Sequence, residues 1–305
     1  MAAKDERARG KAQRLKRTKH GRTQPARKAA RSVSIAMSAS TTGVAGERGW
    51  PVSTGDGGKP PLEGKAVLIT GAARRVGASL ARALQAAGAN VMIHYRNSAD
   101  EAQALASELN ALREGSAALV CADILDTKHL GQLVEATTKT FGQLDVLINN
   151  ASTFYPTEVG EISEAHWEDL LGTNLKAPLF LAQAAASALR LSRGLILNIA
   201  DIHGLRPLRR YTTYSVAKAG LIMLTKSLAR ELGPHVRVNA IAPGPVMWPE
   251  ERADPALQKK IIERTQLKRP GSAEDVARAA LFFCTAAPYV TGQILAVDGG
   301  RSVGW

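Results

Sequence analysis

Apolar residues are unevenly spread along this chain. From Lys65 onward they gather into seven short runs: "KAVLIT" (65–70), "NVMIH" (90–94), "AALVC" (117–121), "VLINN" (146–150), "GLILNI" (194–199), "VRVNAI" (236–241) and "ILAV" (294–297). Within each run the apolar positions are nearly continuous instead of alternating, as strands covered on both faces require. The intervening segments follow another period. "VGASLARALQAAG" and "YSVAKAGLIMLTKSLARELG" carry apolar residues three and four apart and end in glycine, which predicts amphipathic helices with a glycine stop. Strands alternating with helices imply crossover connections and a parallel sheet. The predicted fold is α/β, a single doubly wound domain with a seven-stranded parallel sheet over residues 61–305.

The first sixty residues break this pattern. Residues 1–31 hold twelve Lys and Arg against Asp5 and Glu6, a local net charge of +10 out of +13 for all 305 residues. With almost no large side chain to bury, such a segment cannot offset its ordering entropy. Residues 32–60 are rich in Ser, Thr and Gly, so 1–60 is expected to be a disordered basic tail. Phosphate contacts with nucleic acid are one use for such a tail. A solvated extension, or an upstream start with Met37 as the working initiator, is the plainer reading, because charge alone carries no specificity.

Other classes are disfavoured on composition. No apolar run reaches the roughly 18 residues of a membrane span, and no secretory signal follows Met1, so a cytoplasmic location is expected. Cys121 and Cys284 lie far apart without a C-x-x-C, and the six histidines form no H-x-x-x-H pair. Neither a disulfide framework nor a metal site is expected.

The chemistry begins at the first strand–helix junction, "TGAARRVG" (70–77). Gly71 suits a tight turn, Gly77 lets the helix approach the sheet, and free amides at the helix start, from Arg75 and Val76 on, make an anion site for a pyrophosphate. Where a dinucleotide-binding turn carries a further glycine this chain has Arg75, whose side chain must point into the cleft. At the end of the second strand, "HYRNSADE" presents Arg96, Asn97 and Ser98 and no acid before Asp100. A carboxylate there would favour NAD; its absence favours the 2′-phosphate of NADPH. Asp123 past the third strand is a candidate for the adenine amino group or a turn cap. At the fourth, Asn150 and Ala151 of "NNAS" let backbone approach the cofactor.

Tyr214 and Lys218 form Y-x-x-x-K at the start of a helix, on one face. An ammonium beside a phenol favours phenolate, so the Tyr214 pKa is expected to fall from about 10, making it a usable proton donor. Thirteen residues before Tyr214, where such pairs usually have serine, stands Asp201.

Together with "NNA" and "NLKAP" (174–178), these motifs occur in an order that resembles the short-chain dehydrogenase/reductase family across 61–305, which implies a Rossmann-type domain. The resemblance implies that Asn174 holds a water in a proton relay, that Lys218 grips the nicotinamide ribose, and that Pro243 and Gly244 of "RVNAIAPGPV" turn over the nicotinamide. Arg75, Ser152 in "NNASTFYPTEV" and Asp201 depart from the general pattern and resemble the pteridine reductase branch. That branch implies pterin contacts from Arg75 and Ser152, stacking by Phe154, and a catalytic Asp201–Tyr214–Lys218 set. Segment 245–252, "PVMWPEER", is expected to shape the pocket without assignable contacts.

Asp201 is the chemically telling departure. A serine hydroxyl stabilises the alkoxide of a ketone reduction, whereas a pterin is reduced at C=N and gains its proton on a ring nitrogen. A carboxyl group can relay that proton or accept from ring N–H groups, and burial is expected to raise the Asp201 pKa. The expected function is an NADPH-dependent pteridine reductase acting on biopterin, folate or their dihydro forms. A dihydromonapterin reductase and a 3-oxoacyl thioester reductase are the alternatives. The family resemblance implies a homotetramer. A nucleic-acid-binding role for the tail, with the fold as scaffold, is opposed by the intact Asn174/Tyr214/Lys218 set.

Overall fold

The computed structural model describes residues 58–246 and 255–304. Residues 1–57 of the expected tail and 247–252 of the pocket segment lie outside the described residues.

All seven strands form where the apolar runs fall: β1 (Ala66–Ile69), β2 (Asn90–Tyr95), β3 (Ala117–Cys121), β4 (Val146–Asn149), β5 (Leu195–Ile199), β6 (Arg237–Pro243) and β7 (Ile294–Val297). They make one parallel sheet in the order β3-β2-β1-β4-β5-β6-β7. The chain winds outward from β1 in one direction, then restarts at β4 and winds in the other. This leaves a crevice at the carboxyl ends of β1 and β4, where such folds bind ligands.

The pleat explains why the runs are continuous. Val67 and Ile69 of β1 face one core, built with α1 (Arg75–Ala86), α2 (Ala99–Leu112) and α8 (Ala273–Thr285). Leu68 faces the other, built with α3 (Gly131–Phe141), α5 (Ala177–Ser192) and α6 (Thr212–Leu232). Each strand residue thus meets a helix layer, and removing a buried leucine side chain such as Leu68 costs about 2–5 kcal/mol. The edge strands are the exceptions: Cys121 of β3 is exposed and Leu295 of β7 is 39% exposed. A short α4 (Glu164–Leu171) precedes α5, and α7 (Pro255–Glu263) precedes α8.

Two helix ends differ in cause. After α1, Gly88 adopts φ 102°, as expected for a glycine stop. After α6, Gly233 is extended at φ −61°, ψ 150°, so left-handed glycine does not end that helix. The following Pro234 does, because proline disfavours helical geometry in the residue before it.

Candidate active site

At the β1–α1 turn the backbone closes as the glycines demand. Gly71 takes φ +60°, and a Cβ on Gly77 would strike the Gly71 carbonyl oxygen and lie 2.8 Å from both Ala72 Cα and Asn150 Nδ2. Asn150 Nδ2 donates to the carbonyls of Thr70 (2.9 Å) and Gly71 (3.0 Å). The amides of Asn150 and Ala151 both donate to Thr70 Oγ1 at 3.0 Å. The small residues of "NNAS" therefore hold the turn from beneath. Val76 packs against the α1 side of the core. Arg75 is exposed, as its direction out of the turn requires. It also has φ 56°, the left-handed region that a glycine would occupy without the roughly 1–2 kcal/mol steric cost.

His94, which the motifs did not single out, completes this half. It is buried, accepts from the Gly71 amide at Nδ1 (3.1 Å) and places Nε2 3.1 Å from the Ala122 carbonyl. Accepting at Nδ1 leaves the proton on Nε2, and burial lowers the pKa and keeps the ring neutral. One imidazole thereby ties the ends of β1, β2 and β3. The sequence signal was a lone histidine inside an otherwise apolar strand.

Beyond β2, Ser98 stands at the start of α2 without using its hydroxyl as a cap, and Asn97 is exposed. Arg96 Nη1 lies 3.6 Å from Asp123 Oδ2, while Asp123 Oδ1 accepts from the Leu125 amide at 3.0 Å. The expectation that no acid stands beside Arg96 is therefore corrected. It was drawn along one strand, whereas the sheet brings the carboxylate from the next. At the far side β6 ends at Pro243, and the Gly244 amide donates to Val297 O (2.9 Å).

Asp201, Tyr214 and Lys218 come together at the end of β5 and the start of α6. Tyr214 OH donates to Asp201 Oδ2 at 2.8 Å, and the other oxygen, Oδ1, accepts from the His203 amide at 2.7 Å. Lys218 is buried; its Nζ donates to the Ile199 carbonyl at 2.9 Å and stands 5.7 Å from the centre of the Tyr214 ring. Burial lowers the Lys218 pKa to about 8, with the Asp201 charge opposing that shift. The Tyr214 pKa moves opposite to the expectation. Burial, then the adjacent Asp201 carboxylate, hold it well above the ordinary phenol value, and a hydrogen bond with Ser152 only partly counters this. A carboxylate in direct contact opposes a phenolate, while the ammonium is spent on a carbonyl. In this arrangement Tyr214 is a protonated donor.

Asn174 lies in a π-helical turn, Gly172–Lys176, between α4 and α5. Such turns interrupt the regular ladder and recur at functional sites. The Asn174 side chain is fully engaged: Nδ2 donates to Leu170 O (2.9 Å) and Thr153 O (3.0 Å), and Oδ1 accepts from Ser152 Oγ (2.7 Å). Its amide is therefore committed to the protein, and the side chain fixes Ser152 and the 152–154 loop.

Phe154 and its neighbour divide two jobs. Tyr155 anchors the loop, donating to Asp169 Oδ2 at 2.9 Å; burial and that carboxylate push its pKa to about 12. Phe154 is 44% exposed. Its ring stacks on Tyr211 (centroids 4.5 Å apart, 16° between planes) and meets Tyr214 edge-on at 4.8 Å. Tyr211 was missed in the sequence, although three residues before Tyr214 it shares the face of the helix start. The aromatic wall is thus a cluster of three rings that includes the phenol. Among the described residues there is no group of His, Cys, Asp and Glu fit to hold a metal ion.

Comparison with known proteins agrees with this geometry. Residues 71–302 match the family described as enoyl-(acyl carrier protein) reductase, and the chain belongs to the short-chain dehydrogenase/reductase family of oxidoreductases. It is 37% identical over 277 aligned positions to pteridine reductase 1 of Leishmania tarentolae, covering 77% of this chain and 96% of that protein. It is 34% identical over 240 positions to the 3-oxoacyl-(acyl-carrier-protein) reductase of Staphylococcus epidermidis, covering 77% of this chain and 98% of that protein. With the corresponding reductase of Synechocystis sp. the identity is 36% over 247 positions, covering 78% and 97%.

Proposed function

We propose that this oxidoreductase is an NADPH-dependent pteridine reductase, reducing biopterin or folate, or their dihydro forms, at C=N. The observation that carries the reading is the contact of Tyr214 OH with Asp201 Oδ2, at 2.8 Å, beside a partly exposed aromatic wall. A flat, nitrogen-rich ring fits a site that offers a stacking surface, a proton donor and a carboxyl group to receive ring N–H.

The residues present fit a dinucleotide. The space a Cβ at Gly77 would fill lies against the turn backbone, the amides at the start of α1 meet an anion, and Arg75 adds charge. Arg96, Asn97 and Ser98 are the groups for a 2′-phosphate, for which Arg96 must exchange Asp123. Pro243 and Gly244 would border the nicotinamide, and Lys218, now on the Ile199 carbonyl, would hold its ribose. Bound there, NADPH supplies the hydride. Tyr214 gives its proton to the ring nitrogen. The proton is replaced through Asp201, whose carboxyl oxygen contacts the hydroxyl and passes on a proton taken from solvent.

A 3-oxoacyl thioester reductase is the second reading, favoured by two of the relatives. Against it stands Asp201 at the position where a serine hydroxyl would donate to the alkoxide of a ketone reduction. A homotetramer is supported by apolar side chains left exposed on α5 (Leu179, Phe180), α6 (Val216, Met223), α8 (Phe282) and β7 (Leu295), surfaces that self-association would cover. No described helix is long and apolar enough to cross a membrane. The test is NADPH oxidation with biopterin, dihydrobiopterin, dihydrofolate, dihydromonapterin and a β-ketoester. Turnover of the conjugated pterins supports the reading; turnover of the ketoester alone refutes it.

A further inference from the structure

Resting on the pterin reading, we infer that the rim formed by residues 202–211 selects pterins whose side chain carries carboxylate, as in folates, over pterins with a neutral side chain. Both ends of this segment lie in the site. Asp201, just before it, bonds Tyr214, and Tyr211 at its end stacks on Phe154. A substituent on a ring held against Phe154 has this segment beside it, where Tyr211 stacks on Phe154 and the Arg210 carbonyl meets the Thr157 amide.

The rim is one-signed. Between Asp201 and Glu231 the chain has no acid, while His203, Arg206, Arg209 and Arg210 all fall within the rim. The nearest facing acid is already used: Glu158 Oε1 pairs with Arg210 Nη2 at 2.6 Å, and the Thr157 amide binds the Arg210 carbonyl at 2.6 Å. That pairing leaves Arg209 exposed, with no ion pair or hydrogen bond from its guanidinium among the described residues. Arg206 is exposed as well. Leu205, between these cations and Asp201, is 50% exposed. An apolar patch followed by guanidinium groups matches an arylamide linker ending in carboxylates. It offers nothing particular to a short dihydroxyalkyl chain. Arg210 also holds φ 70°, a conformation easier for glycine, and its side chain is used on Glu158.

The test measures kcat/KM of the full-length protein for dihydrofolate and for dihydrobiopterin, in wild type, Arg209→Glu and Lys139→Glu. Lys139 is an exposed cation near the end of α3 that leads into the amino end of β4, opposite the strand carboxyl ends that carry the site, and controls for net charge. Arg209→Glu should lower kcat/KM for dihydrofolate about tenfold or more, through KM, the effect of losing one charge-assisted hydrogen bond. Dihydrobiopterin should change less than about twofold, and Lys139→Glu should leave the ratio of the two substrates unchanged. Raising salt from about 50 to about 500 mM should raise KM for dihydrofolate alone. A substrate ratio unmoved by Arg209→Glu overturns the rim proposal and leaves the pterin reading intact. A wild type that reduces neither pterin overturns both. So does turnover of a carrier-protein thioester that Arg209→Glu slows, which would assign the rim to an acidic protein instead.

Discussion

The two halves of the crevice are built by different means. The cofactor half, at the ends of β1, β2 and β4, is held by close backbone approach and by side chains bonded to backbone: Gly71 and Gly77 in close approach, Asn150 on two carbonyls, His94 between an amide and a carbonyl. The substrate half, at the end of β5 and the start of α6, is held by side chains on side chains: Tyr214 on Asp201, Ser152 on Asn174, Phe154 on Tyr211. Backbone cradles bind what is common to all dinucleotides and tolerate little change. Side-chain networks can be exchanged one residue at a time, and there this chain departs from the serine-containing pattern. The fold sets the cofactor class, and a few side chains set the substrate.

The comparison breaks most readily at Asp201. Asp201→Ala should keep the fold and NADPH binding, since the cofactor half does not touch it, yet lose about 10²–10⁴ in pterin reduction rate, the usual loss of a positioned proton-transfer group. Asp201→Ser removes the charge that helps hold the Tyr214 pKa up, so the phenol should titrate at lower pH in that variant. Ultraviolet difference titration of the tyrosines checks this. Unchanged pterin turnover in Asp201→Ser would mean that substrate choice does not reside in this network.

Lys218 belongs to both halves and gives a pH test with two opposite signs. Its folded pKa of about 8 lies below the ordinary 10.5, so the ammonium is lost as pH rises through about 8, and kcat should then fall toward a tenfold loss per pH unit. Stability runs the other way. Between about 8 and 10.5 the unfolded chain binds the proton that the folded chain has released, so this group's contribution to stability rises with pH. Urea melts of Lys218→Met should lack that rise, while wild type shows it.

In the cofactor half, Arg96→Ala should raise the KM for NADPH about tenfold, the worth of one charge-assisted hydrogen bond, and leave NADH nearly unchanged. The ion pair with Asp123 sharpens this. Asp123→Asn frees Arg96 from a competing carboxylate and should lower the NADPH KM, provided the asparagine keeps the Leu125 turn. Equal changes with both cofactors would show that the 2′-phosphate is met elsewhere.

What could be read from the chain divides along the same line. All seven strands, the glycine turn and the Tyr214–Lys218 pairing follow from local periodicity and spacing, which carry backbone geometry directly. The missed features need distance across the sheet. Asp123 reaches Arg96 from a neighbouring strand, and His94 looks like any buried strand residue until the β1 turn is laid over it. The direction of the Tyr214 shift was misread for a related reason: spacing puts Lys218 on the same face as Tyr214 but cannot say that its ammonium is bound to the Ile199 carbonyl. The π-helical turn at Asn174 leaves no periodic trace because its five residues break the pattern instead of repeating it.

The smallest effect is expected at Phe154, and it tests whether the aromatic wall belongs to the substrate or to the fold. Tyr155 already anchors the loop through Asp169, so Phe154→Ala should leave the melting temperature within a few degrees of wild type. Stacking contributes roughly 0.5–1.5 kcal/mol beyond buried area, so the KM for a pterin should rise a few-fold to about tenfold while that for NADPH stays fixed. The ring also touches Tyr211 and Tyr214, so its loss reaches the phenol. Phe154→Leu separates the two roles: it keeps apolar bulk against Tyr214 but has no face to stack. If leucine restores pterin affinity in full, the wall works by filling space; if it restores only stability, Phe154 holds the ring of the substrate by its face.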